Sequence, residues 1–441
     1  MDISKDSKKK YMNNETIDFI VSNKKTIISV LLTSTLLLVR DVVGIDINQY
    51  LLFVLMSLIF ISLKKKEAIL YLAFTCGVIT GVNGYILLIG IFSVLLKDST
   101  YLRHNKSFIY LSIFVLIWEC LNSFSYYPLT QVNQILLYFG YLLTFFYYLM
   151  MNRDKEGTKQ VILFYSIGLS VTLLIICIGV LQNPLDLVFH GEGEVRAAMG
   201  FSGDSNSTHF VANANNLAYF SIVLIALLVS LKKQVFSSNI IFLTLLIIAI
   251  LAGTLSRSRT WIMLTSVLIL VEFISRKGTA KIKFLGSVAA LALIAFYFFS
   301  DFINSAIDGF MVRLELGNMS TAGNRTVLMK EYFDYMSNHI DYMFSGTGAI
   351  YYKEITRCSN SCHNAFQQVY IAYGVLGCLF FSSTIIKSIA KHNRSSNILN
   401  YLPFIVALFF IQSIQLLNPF HLMIPLAVSS LAYKINNSTN L

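Results

Sequence analysis

The 441-residue sequence is short of charge. Only 13% of it is Asp, Glu, Lys or Arg, about half of the ~25% usual in a soluble domain, which excludes an ordinary water-soluble globule. Proline is also scarce, with five residues in all, and the apolar residues come in long blocks suited to helices rather than to a membrane barrel. The first 25 residues are polar and lysine-rich. They lack the apolar core and small-residue cleavage site of a signal peptide, so the first span is expected to remain as an anchor. Cysteine is sparse and scattered, with six residues. Cys76, Cys120, Cys177 and Cys378 lie in apolar blocks, where a thiol packs as a small hydrophobe. Cys358 and Cys362 stand in a polar segment beside His363 and are spaced for a disulfide if that side is oxidising. Zinc is the weaker reading there, because no further ligands stand at finger-like spacing.

What is abundant is hydrophobic sequence, 56% of the chain. The apolar blocks fall at about 26–43, 47–63, 68–82, 84–96, 107–124, 130–150, 161–181, 213–231, 237–255, 259–275, 282–300, 363–386, 400–417 and 420–433. Several are short for a hydrocarbon core of about 30 Å, and some pairs read as hairpins or half-spans. The expected class is therefore all-α, a polytopic helical membrane bundle of about 12–14 spans. A polar N-terminus (1–25) and a short tail (436–441) flank a single membrane domain (26–435). Gly77 and Gly81 make a small-xxx-small pattern, explained by close helix packing without invoking a site.

The formal charge of +11 does not indicate nucleic acid. The 34 basic residues sit in small clusters between apolar blocks, about 25 in one set of alternate loops and 9 in the other, which is the positive-inside pattern. The first set, including Lys8 to Lys10, Lys64 to Lys66, Lys232 and Lys233, is assigned to the cytoplasm, and both termini with it. Two long segments, roughly 182–212 and 301–362, are then extracytoplasmic. The basic residues on that outer side are Arg40, Arg196, Arg257, Arg259, Arg313, Arg325, Lys330, Lys353 and Arg357. Seven of these nine are Arg, the side chain best suited to bidentate contact with phosphate.

Chemistry is therefore sought between Thr321 and Asn364. This stretch reads Thr-Ala-Gly-Asn-Arg, then a periodic run with Val327, Leu328, Tyr332, Tyr335 and Met336 on one side, then Ser-Gly-Thr-Gly, then Ser-Cys-His-Asn. The run is read as an amphipathic helix, either on the outer membrane surface or packed on the bundle. Arg325 opens it, where backbone N–H groups also favour an anion. His363 and Asn364 begin the next apolar block, and a histidine there can act as a base or hydrogen-bond anchor. Arg196 precedes an Asn-rich helix start whose simplest role is capping. Arg257 and Arg259 lie in a tight turn ahead of Trp261 and can equally snorkel to lipid phosphates. Each signal is weak alone, but topology puts all of them on one side. Several arginines and a histidine around an outer cleft suit a lipid-linked pyrophosphate substrate. The outer side carries no Asp-x-Asp or other evident metal cluster, so a cofactor-free and metal-free mechanism is expected.

In order and placement these residues resemble the O-antigen polymerase and ligase superfamily of bacterial membrane glycosyltransferases. The resemblance runs over about 196–380. Arg196 precedes Asn216, Leu217 and Ala218 at a span start, and Leu255 to Arg257 form a turn. Gly323 and Arg325 lie in a late outer loop, with Gly346 and Gly348 after them. His363 and Asn364 then lead into a span with Gly374 and Gly377. Asn324 between the glycine and Arg325, Tyr332 as the nearest following aromatic, and Ala214-Asn215 in place of Pro-Asn depart from the family pattern.

The resemblance implies a C-type glycosyltransferase fold and an inverting transfer at the outer face of the bacterial inner membrane. A glycan leaves undecaprenyl pyrophosphate for a sugar hydroxyl of an acceptor. In a polymerase that acceptor is another lipid-linked repeat unit, building O-antigen or capsule. In a ligase it is the lipid A core. It further implies pyrophosphate contact by Arg196, Arg325 and Arg257 or Arg259, acceptor activation by His363 with Asn364 in support, and association with membrane lipids and a chain-length regulator. The polymerase is favoured. A flippase for lipid-linked sugars is the rival from another class, and a structural component of an assembly complex is a third reading. A flippase predicts internal repeats and polar residues at midplane. No clear repeat is visible, and Glu119, beside Trp118, is the one acid well inside a span.

Overall fold

The computed structural model describes residues 21–78, 83–126, 132–151, 154–182, 187–190, 194–197, most of 214–275, parts of 278–304, and 325–358, 362, 364–390, 401–413 and 423–436. These residues form a helical bundle with one two-stranded hairpin. α1 (Lys24–Leu38) ends in a π-helical turn, Val39–Val43, and is followed by α2 (Gln49–Ser62), α3 (Lys65–Gly77) and α4 (Asn83–Lys97). Then come α5 (Ser99–His104), α6 (Lys106–Tyr126), α7 (Val132–Met150) and α8 (Lys155–Gln182). The hairpin pairs β1 (Leu187–His190) with β2 (Glu194–Ala197) antiparallel, Val188 opposite Arg196. After it come α9 (Ala214–Leu231), α10 (Asn239–Leu255), α11 (Arg259–Ser275), α12 (Arg325–Asn338), α13 (Ile340–Ser345) and α14 (Tyr352–Thr356). α15 (Ala365–Ala390), α16 (Leu402–Phe410), α17 (Met423–Ser430) and α18 (Ala432–Asn436) complete the chain.

Among the described residues, five helical segments are long and apolar enough to cross a membrane: Lys24–Val43, Lys106–Ser123, Val132–Met150, Lys155–Ile178 and Ala365–Lys387. Four shorter apolar helices accompany them. Large apolar side chains stay exposed along whole faces, for example Leu51, Val54, Leu58 and Ile61 on α2 and Ile240, Leu243, Ile247 and Ile250 on α10. Exposed apolar surface of this extent is what a lipid-facing helix requires. The chain is a polytopic, all-α membrane protein.

The inner packing rests on small residues and internal polar bonds. Gly77 of α3 meets Gly168 of α8, and a Cβ on Gly77 would stand 2.3 Å from the Leu169 nitrogen. The backbones therefore touch, and Thr172 Oγ1 donates to Gly77 O at 3.0 Å. Close packing at Gly77 is thus confirmed, while Gly81 lies outside the described residues. Trp261 is buried. Its Nε1 donates to Ser221 Oγ at 2.8 Å, and Ser221 donates onward to Ala249 O at 2.6 Å, tying α11, α9 and α10 together. Arg40 and Asp41 form a buried, two-pronged ion pair in the π turn, at 2.7 and 2.8 Å.

Candidate functional site

α12 forms because Leu328, Tyr332 and Met336 recur on one face, and the structure buries that face. Its partners are Tyr352, Cys362 and Ile371, so the helix packs on the bundle through this face. Val327 departs from the expected buried face and is exposed. Beside the buried face runs a second apolar edge, Met329, Phe333, Ile340 and Phe344, which is exposed along α12 and α13. α12 and α13 run alongside the first half of α15 in the same direction. Gln367 Nε2 donates to Met329 O at 2.7 Å, Ile371 lies against Tyr332 and Met336, and Gly374 lies against Phe344.

The foot of this rod is a turn, Gly346 to Ile350, seated in a break of α15. Gly374 has φ 61° and ψ −164°, which interrupts what the sequence presents as one continuous span. The interruption leaves the carbonyls of Ile371 and Ala372 to accept from Thr347 N–H at 2.9 Å and Gly348 N–H at 2.8 Å. Thr347 Oγ1 also donates to Ile371 O at 3.1 Å. Gly346 and Gly348 both adopt positive φ, 77° and 84°, to make the turn.

Below the turn, Glu119 of α6 closes the arrangement. Its Oε1 accepts from Ala349 N–H at 2.7 Å and from the Tyr373 hydroxyl at 2.8 Å, and the Ile350 N–H is also directed at the carboxyl group. Tyr373 in turn hydrogen-bonds the Tyr138 hydroxyl of α7. Glu119, Tyr138 and Tyr373 are all essentially inaccessible, and this network joins α6, α7, α15 and the turn.

At the other end of the rod lie the start of α12 and the start of α15. Arg325 is the first residue of α12, and His363 lies two residues before α15. The Gln367–Met329 bond joins the N-terminal parts of these two helices. The His363 and Arg257 side chains lie outside the described residues, as do the side chains of Arg196 on β2 and Arg325 on α12. Arg259 is exposed at the first position of α11. Asn364 has a defined role: its Oδ1 accepts from the N–H groups of Phe366 and Gln367, both at 3.0 Å, so it caps α15 and fixes the backbone next to His363.

Cys358 and Cys362 are free thiols, not a disulfide. Cys362 Sγ donates to Gln367 Oε1 at 3.1 Å, and Cys358 Sγ to Thr356 O at 3.8 Å. Each thiol has its own local acceptor in place of the other sulfur. Burial pushes the Cys362 thiol up to about 12, and Cys358 is raised for the same reason. Arg357, between them and α14, is exposed with φ 55°, the left-handed region that a residue with a Cβ adopts at a cost. Among the described residues, no three His, Cys, Asp or Glu side chains gather as a metal site.

Sequence reading had singled out Glu119 only as an acid inside a span, and it missed Tyr373 and Tyr138. Its available signal was a lone carboxylate in an apolar helix, which must find donors when buried.

A helical membrane bundle with a long segment re-entering a broken helix defines the class. Within it, residues 242–382 match the family described as O-antigen ligase. That match spans α10 to the middle of α15 and so contains the rod, the turn and its seat. It supports membership of the O-antigen polymerase and ligase superfamily and a glycosyltransferase-like activity of the ligase or polymerase type in polysaccharide biosynthesis. No curated protein matches the chain significantly.

Proposed function

We propose that this protein polymerises undecaprenyl-pyrophosphate-linked oligosaccharide repeat units at the outer face of the bacterial inner membrane. The observation that carries the reading is the bond between Gln367 and Met329, which brings the starts of α12 and α15 side by side within the family-matched region. Arg325 heads one helix and His363 adjoins the other. Two helix N-termini bring their positive dipole ends together, an environment suited to a pyrophosphate. Arg325, with Arg196 and Arg257 or Arg259, holds that group. His363 takes the proton of the acceptor hydroxyl as its oxygen attacks the anomeric carbon. The carbon–oxygen bond to phosphate then breaks on the opposite face, and undecaprenyl pyrophosphate leaves with its negative charge held by arginine. The transfer inverts the anomeric centre and requires no metal or cofactor. Asn364 acts by capping α15 and so orienting His363.

The description of the matched family favours a second reading, transfer of finished glycan to the lipid A core. Surface polysaccharide from a deletion strain, run on a gel with and without the gene restored, separates the two. Collapse of the ladder to core plus one repeat supports the polymerase. Bare core with lipid-linked polymer accumulating supports the ligase. Single lipid-linked units trapped on the cytoplasmic face support a flippase, and an unchanged ladder removes O-antigen from the reading.

A further inference from the structure

We infer that Glu119 is a positioning residue that anchors the foot of the rod and thereby sets where the rod's head, at the start of α12, stands relative to the start of α15. This inference rests on the polymerase or ligase reading for its functional half. The anchoring half stands on geometry alone.

A carboxyl group inside a candidate span needs a reason to be there, because burial without donors is costly. Glu119 is 1% exposed. It lies seven residues before the end of α6 at Tyr126, roughly 10 Å along the helix. Tyr138 lies six residues into α7, a matching depth of about 9 Å. The donors that reach Glu119 at this depth come from the turn and from the break in α15: Ala349 N–H and Tyr373 O–H, with Ile350 N–H also facing it. The turn thus descends into the bundle and is bonded on two sides. The Ile371 and Ala372 carbonyls hold Thr347 and Gly348, and Glu119 holds Ala349.

Above the turn, α13 and α12 form a short connected rod along α15. Cross-links at Gln367–Met329 and in the Tyr332–Met336–Ile371 cluster hold its side. A shift of the foot moves the rod along α15, and the start of α12 moves against the start of α15. Displacements of about 1 Å at a reacting centre cost rate on the order of 100-fold. Glu119 itself is below the site and touches no reacting atom.

The native cysteines supply a readout that is independent of the reaction. Cys362 is 1% exposed beneath the rod, and Cys358 is half-buried beside it. Cys76 and Cys177 are buried in the bundle. Maleimide labelling of the purified full chain, resolved by peptide mass spectrometry, follows the two regions separately. In Glu119→Leu, labelling of Cys358 and Cys362 is expected to accelerate at least tenfold while Cys76 and Cys177 stay protected, and the polysaccharide ladder is lost. Glu119→Gln keeps one acceptor oxygen for Ala349 and Tyr373 and is expected to restore most of the protection and part of the ladder. Unchanged labelling in Glu119→Leu overturns the anchor. Accelerated labelling with a normal ladder overturns the positioning role. Ladder loss with wild-type protection in Glu119→Gln also overturns it, since the charge and not the hold would then matter. If Glu119→Leu exposes all four thiols, Tyr373→Phe, which removes one donor and leaves the carboxylate, decides instead: selective gain at Cys358 and Cys362 supports the anchor and no gain overturns it. Should the wild-type gene prove dispensable for any polysaccharide, the functional reading fails while the labelling result stands.

Discussion

Replacing Gly374 with alanine is the sharpest test of the seat in α15. Gly374 has φ 61° and ψ −164°, a region essentially restricted to glycine, and forcing another residue into it costs about 1–3 kcal/mol. A Cβ at this position would stand 2.3 Å from the carbonyl carbon and oxygen of Phe344. Those are backbone atoms of α13, which cannot swing aside like a side-chain tip, so overpacking adds about 1–3 kcal/mol. If the rod retreats to relieve the clash, Thr347 and Gly348 lose their acceptors, at roughly 1 kcal/mol each. Strain together with either the clash or the two lost bonds comes to about 2–6 kcal/mol, a large part of the stability of an ordinary domain. The control is Gly286→Ala, where a Cβ meets nothing within 4 Å and the change is expected to be neutral or to stabilise by up to about 1 kcal/mol. Thermal unfolding of the detergent-purified proteins by fluorescence-detected size exclusion compares the two, with the polysaccharide ladder read in parallel. A Gly374→Ala protein that melts with the wild type and keeps the ladder would refute the broken-helix seat.

Three further outcomes follow from the same geometry. Burial raises Cys362 from 9.0 to about 12, so the folded state binds its proton more tightly than the unfolded state; the contribution is intact below pH 9 and fades between pH 9 and 12. Maleimide reaction at Cys362 at pH 7 is accordingly expected to be far slower than in urea-unfolded protein, and equal rates would contradict the burial. Phe333→Trp, on the exposed apolar edge of α12, is expected to be quenched by brominated lipid in reconstituted vesicles and shielded from iodide; the reverse would place that edge in water. Arg357→Gly relieves a left-handed backbone and is expected to stabilise the fold by about 1 kcal/mol in a melting assay. The same substitution should lower polymer yield if the guanidinium serves the outer site, and an unchanged yield would assign the strain to folding alone.

Much of the helix framework was legible because hydrophobic blocks of this length have few alternatives. A run such as 161–181 must hide its backbone polar groups in a helix once it enters lipid, and α8 covers that run. The periodicity of Leu328, Tyr332 and Met336 likewise announced a helix with one buried face. The expected site residues Arg325, His363 and Asn364 could be named because polar residues in a mostly apolar chain stand out.

What the linear sequence left open is decided by long-range contacts. Residues 363–386 read as one apolar span, yet α15 is interrupted at Gly374 because another part of the chain competes for its carbonyls. Gly346 and Gly348 read as a simple turn, and only the fold shows that turn seated inside the bundle. Cys358 and Cys362 are close in sequence, but the turns around them give each sulfur a separate acceptor. Glu119 lies 230 residues from its partner Ala349. Local hydrophobicity determined by itself that this chain enters a membrane as helices, since that balance is settled residue by residue between lipid and water. The pairing of a buried acid with a distant backbone turn depends on which helices pack together, and tertiary structure alone decides that.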